Sequence, residues 1–131
     1  MWPLSLLRRA RRGQSPTGAR GEKLAEKFLR KAGLRILGVN YRCPAGEADI
    51  VALDSRGGAV VFVEVKTRSS DDYVAPQSAV DAEKQRRLRA VARYYAAGRQ
   101  LGELRIRFDV VAVVLNEGQP PRITHLPGAF E

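Results

Sequence analysis

The chain has 131 residues, 44% hydrophobic and 28% charged, a composition that fits one globular domain with a single core and excludes a collagen-like or low-complexity polymer. Its formal charge of +9 and isoelectric point near 10.4 favour a polyanionic partner, nucleic acid first and an acidic membrane surface second. A single cysteine, Cys43, and a single histidine, His125, exclude an internal disulfide and a zinc site of the usual Cys/His kind, and no apolar run approaches the ~18 residues of a membrane span.

Residues 1–19 mix arginine with glycine, serine and proline and show no sustained period, so they read as a flexible basic arm ahead of a domain over 20–131. Arg8, Arg9, Arg11, Arg12 and Arg20 meet no acid among the first twenty residues and leave a formal charge of only +4 for the remainder. The segment Trp2–Leu7 is too short for a signal-peptide core and its arginines follow it, so a cytoplasmic location is expected.

A first helix is predicted over Gly21–Ala32, closed by Gly33. Leu24, Ala25, Phe28, Leu29 and Ala32 form its buried arc, with Glu22 at the margin. Glu22 is either a dipole partner in a first helical turn or a carboxylate offered to a sheet edge. Leu34–Tyr41 is predicted as an edge strand, interrupted by Arg35, Gly38 and Asn40.

Two further strands, Gly46–Leu53 and Val60–Lys66, flank a turn at Asp54–Gly58. Alternation puts Phe62, Glu64 and Lys66 on one face and Val61, Val63 and Val65 on the other. With a two-residue loop at Arg56-Gly57, Leu53 faces Val60, Val51 faces Phe62, Asp49 faces Glu64 and Glu47 faces Lys66. Opposed carboxylates with Cβ atoms roughly 4.5–5.5 Å apart destabilise a sheet unless a cation lies between them. Two carboxylates, a carbonyl and water suit Mg²⁺. An ion pair between Glu64 and Lys66 at a strand end is the plainer alternative.

Ser69–Gln77 reads as a polar loop placed to act as a flap over this charged end. A second helix is predicted from an Asp81 N-cap to Ala97, stopped by Gly98. At about 100° per residue, Lys84 falls within the apolar stripe of Leu88, Val91, Ala92 and Tyr95, while Arg86, Arg89 and Arg93 share the opposite, solvated side. Lys84 either snorkels outwards or reaches the carboxylates. Arg105–Leu115 is apolar on both faces and predicts an interior strand reached by a parallel crossover, with Asp109 expected to pair with an arginine. A short strand, Arg122–Leu126, follows.

Gly21-Glu22-x-x-Ala25, Asn40-Tyr41-Arg42, Gly46-Glu47-x-Asp49, Phe62-Val63-Glu64-Val65-Lys66-Thr67-Arg68, Lys84-Gln85-Arg86-Arg87-Leu88 and Arg107-Phe108-Asp109-Val110-Val111 occur in that order. With the order α-β-β-β-α-β, they resemble the restriction-endonuclease-like (PD-(D/E)xK) nuclease superfamily. More closely, they resemble its uncharacterised YraN-like bacterial family, over residues 18 to 130. The resemblance implies an α/β fold with a mixed sheet and flanking helices, and metal-dependent phosphodiester hydrolysis. Asp49 would be the acid of the first motif, and Glu64 and Lys66 the acid and lysine of the second; Glu22 resembles the helix-one glutamate of resolvase-like nucleases. Ala48 stands where many such nucleases carry proline.

The expectation is therefore an endonuclease using Mg²⁺ or Mn²⁺. Asp49, Glu64 and the Val65 carbonyl would hold the metal, Lys66 would act on the attacking water, and Glu22 and Glu47 would support them. Lys84, Arg68 and Arg42 would contact nucleic acid, DNA in the first place. A non-catalytic binding module of the same fold and a scaffold meeting an acidic surface are the competing expectations, and a homodimer is left open.

Overall fold

The computed structural model describes residues 15–69 and 80–131. Most of the expected arm, 1–14, and most of the expected flap, 70–79, lie outside the described residues.

Helix α1, Pro16–Lys31, begins five residues before the predicted start. Ser15 caps it by accepting the Gly18 N–H at 3.0 Å, and Pro16 occupies a first-turn position where its missing N–H has no cost. Residues 16–19 thus belong to the helix and not to the arm. At its other end Leu34 N–H donates to the Leu29 carbonyl and Gly33 N–H to that of Arg30, with Gly33 at φ +96°, a Schellman ending as the sequence predicts.

Strands β1 (Arg35–Cys43), β2 (Gly46–Asp54) and β3 (Ala59–Arg68) form an antiparallel meander. Helix α2 (Ala82–Ala97) crosses over to β4 (Arg105–Val114), which runs parallel to β3, and β5 (Arg122–Phe130) closes the far edge. The five-stranded sheet has the order β1-β2-β3-β4-β5. This α/β architecture, with a mixed sheet between two helices, is consistent with the restriction-endonuclease-like core. Both edge strands are irregular: β1 slips register between Ile36 and Gly38, while β5 carries Pro127 and Gly128 opposite a slip between Phe108 and Val110. Strand β5 runs to Phe130, beyond the predicted Leu126.

Each sheet face has its own core. Ala25 and Leu29 of α1 pack on Ile50, Ala52, Val61, Val63, Val111 and Val113. Leu88, Val91, Ala92 and Tyr95 of α2 pack on Val51, Val60, Phe62, Phe108 and Val110. Both sets follow the period of two along each strand and the helical phase predicted from sequence, except that Ala32, expected in the buried arc of the first helix, is its exposed C-cap.

Helix α1 approaches β3 closely at one point. A Cβ on Gly21 would collide with Thr67 Oγ1 and lie 2.8 Å from the Thr67 Cβ. Gly21→Ala should therefore lower stability by about 1–3 kcal/mol, the usual cost of overpacking. Thr67→Ala in the same chain should restore part of it. Denaturant melts of the single and double variants check this, and a fully stable Gly21→Ala chain would refute the close approach.

Candidate metal and phosphate site

The β2–β3 register is the predicted one, with Leu53 opposite Val60 and Val51 opposite Phe62. The turn is longer than expected: Asp54 still pairs with Ala59, and Asp54 Oδ1 accepts the Gly57 N–H at 2.9 Å. At the other end the ladder stops at Ile50–Val63. Beyond it Ala48, Glu47 and Gly46 pair only with β1, and Glu64 to Arg68 only with β4. The strands therefore part at Asp49 and Glu64. The expected Glu47–Lys66 cross-strand pair does not form; Glu47 lies opposite Arg42 and meets its guanidinium at 3.5 Å.

Asp49 Oδ2 accepts the Val65 N–H at 2.7 Å, taking the amide that β2 leaves without a carbonyl. Asp49 and Glu64 are both buried at 3% and 6% exposure, as carboxylates seldom are without partners. Lys84 of α2 supplies one, its Nζ 2.8 Å from Glu64 Oε2, and Lys66 approaches the same oxygen at 3.7 Å. Of the two sequence alternatives for Lys84, the structure has the inward one. Arg86 and Arg93 are exposed as expected, but Arg89 is half-buried, bonding the Glu131 carbonyl at 3.0 Å and lying over the Phe130 ring.

The parting opens a cleft of about 540 Å³ that reaches both helical layers. Gly18 and Glu22 line it from α1, Lys84, Arg87 and Leu88 from α2, and Glu47, Asp49, Glu64, Lys66, Thr67 and Arg68 from the sheet. Because α1 starts at Pro16, Glu22 lies beyond its first turn, where the helix dipole offers little. The dipole-partner reading of Glu22 therefore lapses. Arg42 is mostly exposed on β1 and is not among the lining residues. Arg87 is a lining residue that sequence reasoning passed over; its spacing of three from Lys84 on a helix was the available signal.

The two lysines differ. Burial, with the neighbouring Lys84 ammonium, draws the Lys66 pKa below the ordinary lysine value. Burial acts on Lys84 in the same direction and is the largest single influence, but its hydrogen bond to Glu64, its contact with Lys66 and the charges of Glu64 and Asp49 together outweigh it and raise its pKa.

Among the described residues no group of three or more His, Cys, Asp or Glu side chains is placed to hold a metal. The oxygen donors fit a hard cation that keeps water in its shell, as Mg²⁺ does with one or two carboxylates. They do not fit a site built wholly of protein ligands.

A second charged cluster lies on the α1 face of the sheet. Asp109 is fully buried and accepts both Arg107 Nε and Nη2 at 2.9 Å, the Gly128 N–H at 3.0 Å and His125 Nε2 at 2.7 Å. Arg107 also binds Asp54. The arginine partner was expected; His125 was not.

The uncharacterised protein family UPF0102 has a sequence model that matches residues 21–113. The chain belongs to the UPF0102 family. It is 45% identical to a UPF0102 protein of Trichlorobacter lovleyi over 92% of this chain and 94% of that one. It is 47% identical to one of Syntrophus aciditrophicus over 88% of each. With one from a Mycobacterium (strain KMS) it shares 42% identity over 98% and 95%. The matched span of this UPF0102 chain contains Glu22, Glu47, Asp49, Glu64, Lys66 and Lys84. No helix among its described residues is long and apolar enough to cross a membrane.

Proposed function

We propose that this UPF0102 chain is a metal-dependent nuclease that hydrolyses phosphodiester bonds, DNA being the first substrate to try. The observation that carries the reading is the parting of β2 and β3, which places two buried carboxylates and two lysines at the floor of an open cleft. Four acids (Glu22, Glu47, Asp49, Glu64) and four bases (Lys66, Arg68, Lys84, Arg87) line that cleft, so alone it offers a polyanion no net attraction. A bound divalent cation would supply it.

Asp49, Glu64 and the Val65 carbonyl would hold Mg²⁺ or Mn²⁺, with Glu22 and Glu47 as further carboxylates lining the same cleft. Such an ion lowers the pKa of bound water and offsets charge on the phosphate. Lys66, with its lowered pKa, orients the attacking water and balances negative charge in the transition state. Arg68 and Arg87 bind flanking phosphates, and Arg42 extends the basic surface beyond the rim.

One observation favours the alternative of a non-catalytic nucleic-acid-binding module: Glu64 already has its charge met by two lysines. Purified protein tested on duplex, single-stranded and branched DNA and on RNA, with Mg²⁺, Mn²⁺ or EDTA, separates the two. Metal-dependent cleavage of any substrate supports the nuclease. Binding without cleavage in every metal would assign the module.

A further inference from the structure

Glu64 is 8% exposed in its side chain, and a carboxylate so far out of water needs a counter-charge. Its Oε2 has two claimants. Lys66, two residues along the same strand, stops 3.7 Å away. Lys84, from a different element, closes to 2.8 Å. The backbone of Lys84 is fixed, because its N–H is held by the Asp81 cap at 2.9 Å. Its ammonium, at the end of a flexible stem that is 32% exposed, has room to turn towards solvent or ligand.

Resting on the metal-site reading above, we propose that Lys84 is the chain's own stand-in cation. It neutralises Glu64 until a divalent ion displaces it, and the displaced ammonium then takes a phosphate of the bound nucleic acid. Lys84 is thus a positioning residue with two successive anions. Entry of the ion and departure of Lys84 from Glu64 turn a charge-balanced cleft into a positive one. Divalent cation and nucleic acid therefore bind with positive coupling, each tightening the other by the same factor.

The test uses the full chain and reads binding, not turnover. Mn²⁺ is titrated by calorimetry into wild type, Lys84→Gln, Lys84→Arg and Arg87→Gln, and a short labelled DNA duplex is titrated in Ca²⁺ and in EDTA. Lys84→Gln should bind Mn²⁺ on the order of ten-fold more tightly than wild type, since it frees a largely buried carboxylate. It should also lose the part of the Ca²⁺-induced gain in DNA affinity that the freed Lys84 ammonium supplies, keeping the part due to the ion itself. Lys84→Arg, which keeps the charge, should restore weaker Mn²⁺ binding and so control for folding. Arg87→Gln removes the same charge from the cleft without touching Glu64 and should change Mn²⁺ affinity by less than about two-fold. Equal Mn²⁺ affinity in wild type and Lys84→Gln would overturn the stand-in role while leaving the metal site intact. Matching gains in Lys84→Gln and Arg87→Gln would also overturn it, because displacement would then be ordinary charge repulsion. No Mn²⁺ binding by any of the four proteins would remove both this role and the metal site.

Discussion

Glu64→Gln should abolish Mg²⁺-dependent cleavage, by about 10²-fold or more, while leaving nucleic-acid binding in EDTA intact or tighter. Glutamine keeps the size of the side chain and its capacity to accept from Lys84, so the fold should survive. The substitution removes one of two negative charges that would hold the metal. In EDTA it also weakens the hold on Lys84, leaving that ammonium for phosphate and lowering repulsion of the polyanion. Rates and affinities measured on the same preparation check both halves. Cleavage undiminished in Glu64→Gln would sink the mechanism and point to a contaminating nuclease.

Asp109→Asn should have the largest effect on stability, about 3–5 kcal/mol, because it takes from Arg107 its fully buried counter-charge, leaving Asp54 as the one carboxylate paired with it. That is a sizeable part of the roughly 5–15 kcal/mol that holds a domain together. Burial alone would raise the Asp109 pKa, but bonds from His125, Arg107 and the Gly128 N–H reverse the shift and leave it lowered. A carboxylate depressed in the folded state stabilises fully above its unfolded pKa and loses that contribution as pH falls through the folded value. Asp54, lowered by the Gly57 N–H and Arg107, has the same sign. Wild type should thus lose stability below about pH 4, and Asp109→Asn should lose less over that window. Urea melts across the acid range measure it. An Asp109→Asn chain as stable as wild type at neutral pH would show that the cluster holds nothing together.

The hairpin was readable because strict alternation fixes both register and face: Val51, Phe62, Asp49 and Glu64 could share a face in only one way. Lys84 was readable for a similar reason, since helical phase admits one side for the stripe from Leu88 to Tyr95. The start of α1 was not, because Ser15 and Pro16 lie among glycines and arginines that carry no apolar period. The extent of β5 was missed because Pro127 and Gly128 read as strand breakers, and an edge strand tolerates both. Alternation also says nothing about where a ladder ends, so the parting of β2 from β3 could not be foreseen. His125 was hidden by distance in sequence: its acceptor Asp109 is brought to it only by the β4–β5 pairing.

The two sheet edges bear on how copies of this chain could associate. Strand addition needs an unbroken row of outward N–H and C=O groups. Strand β1 interrupts its row with the slip at Ile36–Gly38 and with Asn40 at φ +51°, and carries the exposed Arg35 and Arg42 on its flanks. Strand β5 lacks a donor at Pro127 and turns through Gly128 at φ +60°. Each edge therefore resists the flat, in-register contact from which continuous sheets and fibres grow. Joining two copies edge to edge into one continuous sheet is disfavoured, and the five strands stand as a finite, self-terminated unit.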